Sequence, residues 1–444
     1  MSLMSLVAQA HGLEQVHDWL GAAQVYAQAL VLEPDNDRLQ ISLGNVLWLA
    51  DLAGAAEGCY RQAVQLAPDD SMAWRGLGNC LKDLNRFEEA VLAYDRAACC
   101  ARESGPGLDP VISWACSQVR IGLEDYRSAY AEMEHRSALP SWNPWLPSPC
   151  WGDEALPKLD PRLSVWIWSE QGFGDILQYL RWVPVLVHQR QRWEGSGEVV
   201  LVVESSLIQL LREGLAWLPR PPRVVDKSLG SAQASEPLAH GSLLSLPHEL
   251  GPPIPEAPYL RSPLWSYSTL SLLPSPPPGD SWRVGLVWAA GRNHEDPYKE
   301  REYRKRSLPA QVLWNLVVGL RAQGAWVINL QFGEDQGLAA ALGLDLASPR
   351  LELTDFSRAA RVVQELDLVI SVDTAMAHLV GAMGAPGWIL LPWGADPRWQ
   401  RERDDSPWYP SLRLFRQRAS ADWGGAIDAV LLAFSEWSAA RASC

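Results

Sequence analysis

A spacing of 34 residues constrains this chain more than any other feature. Ala22, Tyr26 and Ala29 recur as Ala56, Tyr60 and Ala63, and again as Ala90, Tyr94 and Ala97. Pro34 and Pro68 follow the first two copies at the same offset, where the third has Arg102. Residues at i, i+4 and i+7 share one face of an α-helix. Small residues on that face let a paired helix approach. Leu43, Gly44 and Leu47 stand ahead of the second frame, and Trp74, Leu77, Gly78 and Leu81 ahead of the third. The pattern predicts that Gly78 clears space for its partner helix, and that the pairs stack into a solenoid.

This period and spacing resemble the tetratricopeptide repeat. The outer copies are looser. Leu3–Pro34 lacks the Leu-Gly pair, and Trp114–Arg136 keeps only Ala129 and a helical pattern. Degenerate end copies suit capping positions of a solenoid. Residues 1–150 hold 19 acidic and 10 basic side chains, against 33 and 28 in the rest, so the net charge of −14 is concentrated in the repeats. Either these are solvated helix faces or they form a groove for a basic or polar protein partner. A nucleic-acid backbone is a poor main partner for such a chain.

The remaining composition sets broad limits. With 444 residues, 48% apolar and 20% charged, the chain is globular and long enough for several domains, which excludes collagen, rods and wholesale disorder. Apolar runs such as Val199–Val203 fall far short of the ~18 residues of a membrane span. The N-terminus lacks a basic segment followed by an apolar core. Seven cysteines in no metal-like spacing read as free thiols of a reducing compartment, so a cytoplasmic location is expected. The 23 tryptophans either stand in for Phe in cores or line an aromatic groove. Several alternate with proline: Trp142, Trp145 and Trp151 with Pro140, Pro144, Pro147, Pro149, Pro157 and Pro161. Proline stiffens the chain and Trp favours burial, so residues 140–161 read as an ordered connector.

From Leu163 the pattern becomes alternating strands and helices. Strands are expected at Leu163–Trp168, Glu198–Val203, Arg223–Asp226 and Gly241–Leu246. After a proline-rich stretch, Pro252–Pro278, more follow at Arg283–Trp288, Ala325–Leu330, Asp367–Val372, Gly387–Leu391 and Leu412–Gln417. Helices are expected between them at Ile176–Arg190, Ser205–Trp217, Pro309–Ala322, Phe356–Leu366 and Ala375–Gly384, with a last one at Trp423–Arg441. The alternation predicts two doubly wound α/β domains with parallel sheets, binding ligands at the carboxyl ends of the strands. The expected boundaries are 1–139 for the repeats, 140–161 for the connector, 162–270 for the first α/β domain, 271–282 for a linker, 283–421 for the second and 422–444 for a closing helix.

Four strand-end constellations carry chemistry. Gln171-Gly172-Phe173-Gly174-Asp175 begins like a dinucleotide fingerprint, but Leu177 occupies the third small position and Asp175 would repel a pyrophosphate. Asp175 is either a helix cap or a general base at the cleft, and the two are compatible. Asp373-Thr374-Ala375 ends a buried strand and opens a helix, where free N–H groups and the helix dipole favour an anion; His378 follows one turn on. The alternative there is a capped core helix with a satisfied histidine. The loop Trp288–Leu308 contains Ala289 and Gly291, then Arg292, Lys299, Arg301, Arg304, Lys305 and Arg306. It is expected to face phosphates, although the interleaved Glu295, Asp296, Glu300 and Glu302 also fit a solvated lid. Gln331 and Glu334 close the fourth strand end, with Glu334 placed for ribose hydroxyls or for a helix cap.

Taken together, these stretches resemble the heptosyltransferase-like branch of the GT-B glycosyltransferases, glycosyltransferase family 9, fused to tetratricopeptide repeats as in bacterial proteins. The matching residues are Trp168-Ser-Glu-Gln-Gly-Phe-Gly-Asp175, Val284-Gly-Leu-Val-Trp-Ala289, Arg306-Ser-Leu-Pro309, Leu353-Thr-Asp-Phe356, Asp367 through Gly384, Ser406-Pro-Trp-Tyr-Pro410 and Arg413-Leu-Phe-Arg-Gln417. The resemblance implies a GT-B fold and an inverting transfer from a nucleotide-sugar to a hydroxyl acceptor. It implies Asp175 as base, with Gln171, Gly172 and Gly174 forming an acceptor-side loop. Asp373, Thr374, Ala375 and His378 would hold the donor's diphosphate, Arg306 would supply a cation, and Glu334 would meet the donor sugar or ribose. Trp288, Ala289, Gly291 and Gln331 complete the donor side. Ala375 stands where the family commonly has glycine. No cofactor and no catalytic metal are expected, because the sole Asp-x-Asp, Asp35-Asn-Asp37, lies in a repeat turn. Two other readings remain: a nucleotide-binding scaffold that has lost its chemistry, and a nucleotide-sugar epimerase.

Overall fold

The computed structural model describes residues 1–104, 109–145, 156, 159–160, 162–192, 197–229, 239–251, 254–262, 265, 271–279, 282–350 and 352–442. It begins with four helix pairs: α1 (Leu3–Gln15) with α2 (Trp19–Leu32), α3 (Asp37–Leu49) with α4 (Ala53–Leu66), α5 (Ser71–Asp83) with α6 (Phe87–Ser104), and α7 (Pro110–Gly122) with α8 (Tyr126–Met133). Asp18, Asn36, Asp70, Asp109 and Asp125 each accept a backbone N–H of the helix they precede. Such a cap is worth about 1 kcal/mol. Part of the acidity of the repeats is therefore helix capping, a use beside the two that the composition suggested.

The repeated frame is the core of this solenoid. Ala22, Ala29, Ala56, Ala63, Ala90 and Ala97 are fully buried, and Tyr26, Tyr60 and Tyr94 nearly so. A Cβ on Gly78 would lie 2.7 Å from the Tyr94 ring, and one on Gly44 2.9 Å from that of Tyr60, so each glycine makes room for the tyrosine of its paired helix. The hydroxyls of Tyr60 and Tyr94 donate to Asn45 and Asn79 at 2.6 and 2.7 Å. The turn inside each pair runs through a left-handed residue: His17, Asp51 and Asn85, 34 residues apart, and then Glu124. The fourth pair comes late because α6 is longer than α2 or α4. Its frame is Ala129, Met133 and Arg136, all buried, with Met133 in the place of tyrosine and Arg136 in that of the second alanine.

The rest of the chain alternates as the apolar runs predict. In order come β1 (Val165–Trp168), α9 (Phe173–Tyr179), α10 (Trp182–Arg192), β2 (Val199–Val203), α11 (Ser205–Gly214), β3 (Arg223–Asp226), β4 (Ala239–Ser242) and α12 (Leu246–Leu250). The second series is β5 (Trp282–Val287), α13 (Pro297–Arg306), α14 (Ala310–Arg321), β6 (Ala325–Asn329), α15 (Leu338–Ala341), α16 (Phe356–Gln364), β7 (Leu368–Val372), α17 (Ala375–Met383), β8 (Gly387–Leu391), β9 (Leu412–Arg416) and α18 (Trp423–Ala442). The first sheet has the order β3-β2-β1-β4 and the second β6-β5-β7-β8-β9. Every pairing is parallel, with Val165 opposite Val199 and Ala239, and Val284 opposite Val327 and Leu368. Strands such as β2 and β8 are buried along their whole length, which is why they read as unbroken apolar runs.

Two local differences have clear causes. The helix expected over Ile176–Arg190 is two helices, α9 and α10, because Pro184 has no N–H and is tolerated only in the first turn of a helix. The loop expected over Trp288–Leu308 contains helix α13. Of the connector, Pro147, Pro149, Trp151, Pro157 and Pro161 lie outside the described residues. Trp142 packs under the Arg136 guanidinium at 5.3 Å, and Trp145 stacks on Trp166 at 5.4 Å.

The chain divides into two compact units. The second comprises Asn143–Gly291, Arg306–Leu391 and Arg403–Cys444. The first joins the repeats, Met1–Trp142, to two later excursions of the chain, Arg292–Lys305 and Pro392–Glu402. Arg301, only 2% exposed, binds the repeats through several groups. It donates to the Asp83 carboxylate and the Trp48 carbonyl, both at 2.7 Å, pairs with Asp51 at 3.0 Å, and lies 4.1 Å above the Trp48 ring. Lys305 donates to Asp83 at 3.2 Å and Arg304 to the Leu49 carbonyl at 2.8 Å. In the other excursion, Asn85 donates to the Trp393 carbonyl and Arg401 to the Asn85 carbonyl, each at 2.7 Å. Gly394 is required there, since a Cβ would sit 2.4 Å from the Asp83 carbonyl oxygen.

Candidate functional site

The second unit contains a cavity of about 390 Å³. It lies where strand order reverses, at the carboxyl ends of β5, β6 and β7, the place open α/β sheets use for ligands. Val287 ends β5, and Ala289, Ala290 and Gly291 follow it; Gln331, Phe332 and Gly333 follow β6; Thr374, Ala375 and Met376 follow β7. Leu353–Phe356 supplies another wall, and Phe173 and Ser206 come from the first sheet's helices. Phe173 and Phe332 are 39% and 42% exposed, so both offer apolar ring surface to the opening. Phe173 also meets Phe356, with ring centroids 5.0 Å apart.

The rim is held by backbone bonds. Gln331 spends its amide on the β5 turn: its oxygen accepts the N–H groups of Trp288 and Ala289 at 3.0 and 2.9 Å, and its nitrogen donates to the carbonyls of Ala289 and Phe332. It is a brace that also borders the cavity. Ser307 accepts the Ala290 N–H at 3.1 Å. Trp288 is fully buried behind this turn. Thr374 caps α17 without a side-chain bond to the first turn, and its hydroxyl pairs instead with Ser371 at 3.0 Å. The first-turn N–H groups of α17 are thus not consumed by a cap side chain, which favours an anion there.

The expected cations separate. Arg292 and Lys299 pair with Glu300 and Asp296 inside their own segment. Arg301, Arg304 and Lys305 bind the repeats. Arg306 donates to the Asp373 carbonyl at 3.2 Å and is the member of this run found at the α17 turn. The phosphate-facing expectation for the whole loop is thereby reduced to Arg306.

His378 is buried and is not among the residues that line the cavity. Its Nδ1 is 2.9 Å from the Tyr409 hydroxyl and its Nε2 4.0 Å from the Asp373 carboxylate. Burial holds the Tyr409 hydroxyl pKa well above its ordinary value, with Tyr259 adding to the rise and Arg181 opposing it. The Arg181 guanidinium lies 4.8 Å over the Tyr409 ring and 5.0 Å over that of Trp408. Two glycines make this packing possible. A Cβ on Gly174 would be 2.9 Å from the His378 ring, and one on Gly381 would be 2.3 Å from that of Tyr409. Gly381→Ala is expected to displace the Tyr409 ring and cost about 1–3 kcal/mol, measured by chemical denaturation.

Asp175 stands in the first turn of α9, half-buried, and accepts the Gly172 N–H at 3.3 Å. Gln171, exposed, takes the left-handed conformation that starts this turn, and Glu334 is exposed in the short helix after Gly333. Neither these nor Asp373 and His378 are among the cavity's lining residues. Sequence reasoning missed Phe173, Ser206, Phe332 and Tyr409. Phe173 and Phe332 sit inside the motifs it singled out, so their place at strand ends was the available signal. Among the described residues one trio has metal-ligating chemistry, Asp95, Cys116 and Glu132 in the repeats. Arg120 already donates to both of its carboxylates. No helix among the described residues is long and apolar enough to cross a membrane.

Known proteins match the repeats most clearly. Residues 53–108 match the tetratricopeptide repeat family. The chain is similar to Protein FlbA of Caulobacter vibrioides, at 26% identity over 455 residues, covering 94% of this chain and 70% of FlbA. The peroxisomal targeting signal receptor of Kluyveromyces lactis is 34% identical over 73 residues, 16% of this chain and 13% of the receptor, so the chain spans only a small part of that relative. The crystal structure of MamA protein superposes with a TM-score of 0.28 at 17% identity, over 31% of this chain and 72% of that one. The matched residues span α4, α5 and α6, so this part of the helical array carries tetratricopeptide-repeat sequence.

Proposed function

We propose that this chain is an inverting, metal-independent glycosyltransferase of GT-B architecture that works in the cytoplasm, moving a sugar from a nucleotide-sugar to a hydroxyl acceptor, with its repeats docking a protein partner. The observation that carries the reading is the convergence of three strand ends and the α17 N-terminus on one cavity, walled in part by the first sheet's Phe173 and Ser206. Its volume of about 390 Å³ suits a small-molecule ligand. The leaving nucleoside diphosphate gains negative charge, and helix N–H groups with Arg306 stabilise such charge without a metal. An acceptor hydroxyl needs a base as it attacks, and Asp175 is the carboxylate assigned to it. The relative named a receptor supports partner docking by the repeats.

The test is a panel of nucleoside diphosphates and nucleotide-sugars. A ligand at 100 times its Kd stabilises the folded state by about 2.7 kcal/mol, so the right diphosphate raises the thermal midpoint. Donor hydrolysis or transfer should accompany it. If no nucleotide moves the midpoint and no donor is consumed, the proposal fails. One observation favours a second reading, a nucleotide-binding scaffold without chemistry: Asp175 is not among the residues that line the cavity. Binding without turnover selects it.

A further inference from the structure

The face that holds Arg301 has the makings of a cation receptor. Trp48 and Leu49 are the last residues of α3, so their carbonyls belong to the negative end of a helix dipole. Asp83, the last residue of α5, and Asp51, in the α3–α4 turn, add two carboxylates. The Trp48 indole supplies a flat π surface, and its Nε1–H donates to Asp83 at 2.8 Å, fixing the carboxylate. Guanidinium is the group that such a set recognises: planar, always charged and able to stack.

The occupant is held by charge more than by apolar burial. Of the ten residues of α13, Arg301 is the buried one, while Tyr298 remains 59% exposed beside Trp48. Nor does the helix fill the face. A cavity of about 450 Å³ remains beside it, bounded by Pro297, Glu300 and Arg304 on one side and by His17–Leu20 and Ala50 on the other. We propose that the acidic face at the ends of α3 and α5 is a receptor for a basic helical segment, with the chain's own helix Pro297–Arg306 as resident occupant. A protein partner docking there carries the same Arg-x-x-Arg-Lys chemistry and competes with that helix. This deepens the partner-docking part of the proposed function and is independent of glycosyl transfer.

The probe is a labelled peptide with the sequence of Pro297–Arg306, added to the full chain. In a variant carrying Arg301→Ala, Arg304→Ala and Lys305→Ala, the peptide is expected to bind about tenfold or more tighter than to the unaltered chain, with an affinity that falls as salt rises. Adding Asp83→Asn should remove that gain. A second measurement needs no substitution: excess peptide should speed amide hydrogen exchange in residues 297–305 of the unaltered chain. Equal binding to both proteins, no binding to a folded triple variant, or exchange unmoved by excess peptide would each overturn the proposal. No arm uses a nucleotide, so its failure and that of the transferase reading are distinguishable.

Discussion

Asp83→Ala is expected to destabilise the first unit by about 3–5 kcal/mol, read as a lowered midpoint in chemical denaturation. The carboxylate is 4% exposed and binds Arg301, Lys305 and the Trp48 indole. Without it, the Arg301 guanidinium stays buried with the part-exposed Glu302 and Asp51 as its remaining counter-charges. Leaving a buried charge so poorly compensated is what makes breaking such a pair costly, whereas replacing both partners by apolar groups is often neutral. The double variant Asp83→Leu with Arg301→Met should therefore recover most of the loss. A double variant as unstable as Asp83→Ala would refute this account.

The same cluster sets an acid limit. Burial pushes the Asp83 carboxyl pKa up, but the charges of Arg301, Lys305 and Lys82 outweigh it and hold the group well below the ordinary carboxylate range. A depressed folded-state pKa contributes stability that is full above the unfolded value of about 3.9 and is lost as pH falls below it. Acid unfolding of Asp83→Asn should be shallower below about pH 4 than that of the unaltered chain.

On the transferase proposal, Asp175→Asn is expected to lower the transfer rate by about 10²–10⁴-fold, the usual share of a general base. Asparagine keeps an oxygen for the Gly172 N–H, so the start of α9 and the thermal midpoint should hold. Asp175 is not among the residues lining the cavity, so affinity for the nucleoside diphosphate should change by less than about twofold, placing the loss in kcat. An Asn variant with unchanged turnover would remove Asp175 from the base role and favour the scaffold reading.

Local patterns made most of the architecture legible. The Ala-Tyr-Ala frame exposes the first three helix pairs because spacing and residue identity repeat together. The fourth reads only as a degenerate copy because its frame starts late and uses Met133 and Arg136 in place of tyrosine and alanine. Strands buried on both faces stood out as apolar runs. The cation-rich segment shows the limit of such reading. Its place after β5 suggests phosphate, but Asp83, the buried carboxylate that Arg301 and Lys305 share, lies more than 200 residues earlier, where no local pattern points to it. The strand-end motifs likewise marked where a cavity forms without saying which side chains turn into it. Phe173 does so, while His378 turns to Tyr409. Much of the tryptophan excess is core: Trp168, Trp182, Trp288, Trp399 and Trp408 are fully buried.

The ion pair between Asp83 and Arg301 spans 218 residues of chain, which has a meaning during synthesis. At about 5–20 residues per second, the repeats leave the ribosome roughly 10–45 s before helix Pro297–Arg306 can reach them. For that interval the acidic face is open to any basic segment nearby, whether a chaperone, another nascent chain or a partner. The first companion of the repeats is then decided by timing as well as by affinity.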